Sequence, residues 1–87
     1  MALYRIERDL GDVSAEEIDA AAFRAVACAP LFTGLTWRRS YYDAAARHMT
    51  CYYEAASTGD LRKHAEMARI PCDSVNEVTE YLPERYR

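Results

Sequence analysis

Eighty-seven residues, half of them hydrophobic, are enough for one folded domain and exclude a disordered chain. A formal charge of −3 argues against a nucleic-acid binder, which shows a basic face, and Arg38 and Arg39 are too few to reverse that balance. The longest apolar stretch, Ala20 to Phe32, is interrupted by Arg24 and Pro30 and is too short to span a membrane.

The first run, Ala2 to Arg8, alternates in polarity and predicts a strand. After a turn at Gly11 and Asp12, Ser14-Ala15-Glu16-Glu17 forms a capping box in which the serine oxygen accepts a free backbone N–H and Glu17 reaches back. The helix it opens carries Ile18, Ala22, Ala25 and Ala29 on one stripe, small enough for close approach to a sheet, and Pro30 ends it. Leu35 to Tyr42, rich in aromatic and β-branched types, predicts a second strand. A polar, alanine-rich turn over residues 43–47 leads to a third strand at Met49 to Ala55. Ser57 or Thr58 caps a second helix with Leu61, His64, Ala65 and Ala68 at helical spacing, closed by Ile70-Pro71. Val75 to Leu82 predicts the last strand, and Pro83 to Arg87 a tail that is either loose or a partner contact.

Strand, helix, strand, strand, helix, strand is the split βαβ order of ferredoxin-like domains. The chain is therefore expected to form an α+β ferredoxin-like βαββαβ sandwich over residues 1–87, with a four-stranded antiparallel sheet in the order 4-1-3-2 and two helices on one face. Alternation then assigns Arg5, Glu7, Arg38, Ser40, Tyr42, Tyr52, Glu54, Glu77, Thr79 and Tyr81 to the open face. Tyr4, Ile6, Leu35, Trp37, Met49, Cys51, Tyr53 and Val78 are assigned to the helix side. An open face with seven tyrosines available in so short a chain points to a partner surface, and a homodimer is expected.

His64, beside the apolar stripe of the second helix, reads either as a hydrogen-bonded edge histidine or as a metal ligand or proton carrier aimed into a cavity between helix and sheet. Cys51 in mid-strand reads as a small hydrophobe or as a thiolate held by a cation or metal. His48 follows a turn and reads as exposed. Two histidines are few for a site within one chain, but a two-fold axis presents each residue twice, and carboxylates from Glu7, Glu54 or Glu77 would complete an N/O shell suited to nickel, zinc or iron. The plain reading of the glutamates is cross-strand ion pairing with Arg5 and Arg38. Three widely spaced cysteines with no CxxC, and no basic-apolar leader at the start of the sequence, suggest reduced thiols and a cytoplasmic location.

The runs Tyr4-Arg5-Ile6-Glu7-Arg8, Trp37-Arg38-Arg39-Ser40-Tyr41, Cys51-Tyr52-Tyr53-Glu54-Ala55 and Arg62-Lys63-His64-Ala65, then Pro71 and Asn76-Glu77-Val78, give the chain a resemblance over nearly its whole length. It resembles a family of small bacterial ferredoxin-like domains, formerly of unknown function, typified by a nickel-binding, nickel-responsive protein. The resemblance implies a ferredoxin-like dimer that binds nickel and marks Glu7, Ser40, Tyr41, Cys51, Tyr53, His64 and Glu77 as family-like positions. One departure is Arg69-Ile70, where the family has a glycine before the proline that follows the second helix.

The preferred expectation is a small cytoplasmic metal-binding protein, nickel first and another divalent transition metal second, with ligands drawn from His64, Cys51, His48 and Glu77. The alternative is a small-molecule enzyme of the dimeric α+β barrel kind. There His64 or Glu7 would be the acid–base and Tyr41 or Tyr53 would orient an organic ligand. A plain interaction module is the third reading. His64 is expected to point inward and to line a polar pocket with at least one of Tyr53, Cys51 and Tyr41.

Overall fold

The computed structural model describes every residue from Met1 to Arg87. Its elements are β1 (Ala2–Asp9), α1 (Ala15–Cys28), β2 (Thr36–Asp43), β3 (His48–Ala55), α2 (Thr58–Ala68) and β4 (Ser74–Val78). All strand pairs are antiparallel, in the order β2-β3-β1-β4, which is the expected 4-1-3-2 read from the other edge. The capping box forms in full: Glu17 N–H donates to Ser14 Oγ at 3.1 Å and Ser14 N–H donates to Glu17 Oε1 at 3.1 Å. Ser57 caps α2 by accepting from Asp60 N–H. Helix α1 ends at Cys28, and Pro30 sits in a short 3-10 turn beyond it.

The core lies between the central strands and the helices. Tyr4 and Ile6 from β1 face Tyr53 and Cys51 of β3 in register, and Leu61 of α2 packs against them. Ile6 and Leu61 are fully buried, each contributing about 1.5–3 kcal/mol of transfer free energy. Side chains also tie the helices together. Arg24 Nε of α1 donates to Ala68 O at 2.7 Å, and the His64 ring of α2 bonds Ala25 O of α1.

Two strands differ from the expected face pattern. In β2, Trp37 pairs with Tyr53 but Arg39 pairs with Tyr52, so two steps on one strand match one on the other and Arg38 is the extra residue of a β-bulge. One inserted residue inverts the side-chain parity beyond it. Ser40 and Tyr42 therefore face the helices, opposite Cys51 and Met49, while Arg39 and Tyr41 take the open face. Arg38 keeps its open-face ion pair with Glu54 at 2.5 Å.

In β4 the expected parity is reversed throughout. Val75 lies opposite Ile6 and packs on the core, Glu77 lies opposite Tyr4, and Val78 lies opposite Leu3 on the open face. Val75 and Val78 have opposite parity, so the strand offered two apolar choices, and the register with β1 selected Val75. The strand stops at Val78, short of the expected Leu82, because β1 has only Ala2 left to pair. Leu3 is paired there and β1 begins at Ala2. Thr79 to Leu82 carry no regular structure, and Pro83–Tyr86 form an exposed 3-10 turn.

Arg69 closes α2 in the left-handed conformation (φ 59, ψ 49), with Arg69 N–H donated to Glu66 O and Ile70 N–H to Ala65 O. It holds a left-handed cap position that glycine occupies most readily, at a steric cost glycine would not carry. Arg69→Gly is expected to stabilise the fold by a net ~0.5–1 kcal/mol, the relief of the αL strain exceeding the entropy of an added glycine. Urea denaturation checks this, and a midpoint at or below wild type contradicts it.

Candidate functional site

Helical spacing turns the buried face of α2, with Leu61, His64, Ala65 and Ala68, onto the sheet. His64 is 0% exposed. Its Nε2–H donates to Ala25 O at 2.8 Å, which fixes the tautomer and leaves Nδ1 as an acceptor without a partner. The ring stands edge-on to Phe32 and tilted against Tyr53, with centroids 5.9 and 5.5 Å away. Burial lowers the His64 pKa below its usual 6.5; the bond to Ala25 opposes this and the nearby Arg8 charge adds to it. The expected inward ring and Tyr53 neighbour are therefore present, but the expected polar pocket is not: the ring is sealed against Phe32, Tyr53 and the Ala25 carbonyl and lines none of the clefts.

Beneath it, alternation along β1 and β3 brings Arg8, Cys51 and Tyr53 to the same face. Arg8 Nε donates to Cys51 Sγ at 3.3 Å, and Arg8 Nη1 donates to Pro71 O at 2.5 Å. Burial pushes the Tyr53 pKa up to about 12 against the opposing pull of Arg8, so the phenol stays protonated. A cleft of about 280 Å³ opens between α1 and the sheet, with Arg8, Cys51 and Tyr53 among its lining and Ser40 and Tyr42 brought into it by the bulge. Sequence reasoning missed Arg8. The signal was its parity, shared with Tyr4 and Ile6, which put a cation on the helix side.

The open face carries a second group. His48 Nε2 meets a Glu7 carboxylate oxygen, Thr50 Oγ1 donates to that same carboxylate at 3.2 Å, and Arg5 Nε lies 3.4 Å from its other oxygen. The register explains it: Glu7 faces Thr50 and Asp9 faces His48, so His48 reaches diagonally to the next residue on its side of the sheet. Tyr41, 62% exposed, lies on this face edge-on to Tyr52.

The structure thus distributes the residues singled out by sequence over three places. His64, Cys51 and Tyr53 are together on the helix side. His48, Glu7 and Tyr41 are on the open face. Glu77 is exposed on edge strand β4, on the helix side by register. Within one chain no three His, Cys, Asp or Glu side chains gather as a metal-binding group, and Glu7 is separated by the sheet from His64 and Tyr53. No helix is long and apolar enough to cross a membrane.

A family model described as "Nickel responsive protein SCO4226-like" matches residues 4–78. Among solved structures, the chain is similar to "Crystal structure analysis of SCO4226 from Streptomyces coelicolor A3(2)", with a TM-score of 0.82 over 93% of this chain and 100% of that one, at 17% identity. That likeness establishes the shared fold. No curated protein matches the chain.

Proposed function

We infer a function from one premise: this chain belongs to the SCO4226-like family of nickel-responsive proteins. It is a small metal-binding homodimer that takes a nickel ion on its open sheet face, with no catalysis of its own. The observation that carries this is the contact between His48 Nε2 and the Glu7 carboxylate. An imidazole and a carboxylate already side by side are half of an N/O shell suited to nickel. A second copy across a two-fold axis supplies the same pair again, which is how two histidines per chain suffice. Thr50, bonded to Glu7, orients the carboxylate as an outer partner of a ligand does.

The helix-side donors fit a cation less well. Cys51 Sγ already accepts from the guanidinium of Arg8, a fully buried charge that opposes a metal ion there and at the free Nδ1 of His64, whereas Arg5 beside Glu7 is half-exposed and screened by water. Three free cysteines suit a reducing, cytoplasmic setting.

Calorimetric titration with nickel, zinc and cobalt, paired with light scattering, tests the reading. The expected result is a dimer binding about one nickel ion per pair of chains. Affinity no tighter than roughly millimolar, about −4 kcal/mol, would sink it, as would a monomer at high micromolar concentration with nickel present.

A further inference from the structure

Arg8 is the largest side chain that the fold buries outright, 2% exposed, and it forms no ion pair. Its Nε and Nη1 are bonded to a thiol sulfur and a carbonyl oxygen, and its Nη2 has no hydrogen-bond partner, the protonated Tyr53 phenol being the other polar group beside the guanidinium. A buried cation without a counter-charge is among the most costly groups a fold can retain. Arg8 lines the cleft between α1 and the sheet, and Asp19, the carboxylate at that cleft, is exposed and does not pair with it. Eleven of the fourteen lining residues are hydrophobic, so whatever answers the charge there is itself largely apolar. At about 280 Å³ the space is at the small end of ligand pockets, which begin near roughly 300 Å³.

We propose that this cleft binds a small organic monocarboxylate, its carboxylate on Arg8 Nη2 and its apolar body between α1 and the sheet. Arginine suits the role because its planar N–H groups match a carboxylate and hold charge at any working pH. Met49 stands directly opposite Arg8 in the register and also lines the cleft. Nη2 has no accessible surface of its own, so the carboxylate reaches it by displacing a neighbouring side chain, and the unbranched, adaptable Met49 is the one we name. The apolar walls disfavour inorganic phosphate, which would bury several polar oxygens against a single free nitrogen. The site lies on the opposite side of the sheet from His48 and Glu7, so it stands or falls independently of nickel binding.

Hexanoate is the probe, with hexanamide and inorganic phosphate as controls. Trp37, the single tryptophan, lines the cleft and reports occupancy by its fluorescence. The expected result is saturable hexanoate binding, with hexanamide weaker by about tenfold or more and phosphate without effect. Arg8→Met removes the preference for hexanoate. Ala22→Phe fills the cleft while keeping Arg8 and abolishes hexanoate binding; it decides the matter if Arg8→Met does not fold. No hexanoate binding at tens of millimolar overturns the proposal. So does equal binding of hexanamide, or hexanoate binding that persists in Ala22→Phe.

Discussion

His48→Ala is expected to weaken nickel binding by about a hundredfold or more while leaving the melting temperature close to wild type. Losing an outer-shell partner of a metal ligand already costs about ten- to a hundredfold, and a ligand is closer to the metal than that. In a two-fold shell the substitution removes one donor from each copy, so the loss counts twice. Stability responds differently. His48 and Glu7 are about a third and a quarter exposed, at 35% and 26%, and a pair so open to water is worth only ~0–1 kcal/mol. Glu7→Gln keeps the shape of the side chain and its contact with Thr50 but removes the charge, and a loss of about tenfold or more is expected. Calorimetry beside thermal melts on both variants separates site from fold. Nickel affinity unchanged in His48→Ala would move the metal off the open face altogether.

The second large effect is at His64, and it falls on stability. His64→Ala removes a fully buried ring from between Phe32 and Tyr53 and the hydrogen bond by which α2 holds α1 at Ala25 O, leaving that carbonyl only its helical bond from Ala29 N–H. Cavity and lost hydrogen bond together are expected to cost about 3 kcal/mol, with nickel affinity per folded molecule unchanged. A pH signature accompanies it. Burial lowers the folded pKa of His64 below the unfolded value of about 6.5, so the unfolded chain binds the extra proton first as pH falls. The contribution of the neutral ring is complete above about pH 6.5 and is lost as pH drops from there toward the depressed folded pKa. The slope in that window is at most about 1.4 kcal/mol per pH unit. His64→Gln retains an N–H able to donate to Ala25 but cannot titrate, and its urea midpoint should fall less than wild type across the same range. Parallel curves for the two proteins would show that His64 is not the group responsible.

Much of the fold is legible in the sequence, and for local reasons. Ser14 and Glu17 are three residues apart, and Ser57 precedes Asp60 by the same interval, so each helix start is written in a short window of sequence. Alternation along β1 is unbroken and places Tyr4 and Ile6 inward, Arg5 and Glu7 outward. The inward direction of His64 follows from its spacing to Leu61, Ala65 and Ala68.

What the sequence determined by itself, then, was element order, helix caps, the topology those imply and the resemblance to a nickel-responsive family. Each depends on residues near one another in the chain or on their order along it. The tertiary structure alone decided which side chains share a site. The Arg38 bulge is set by how β2 lies against β3, and it moved Ser40 and Tyr42 into the cleft and Tyr41 out of it. The register of β4 is set by Val75 finding Ile6, and it carried Glu77 away from the open-face donors. His48 meets Glu7, forty-one residues earlier in the chain, because an antiparallel pairing brings neighbouring rows together. A strand has period two, so a single inserted residue or a one-residue slip exchanges its faces, and only the packed sheet fixes which alternative has the lower free energy.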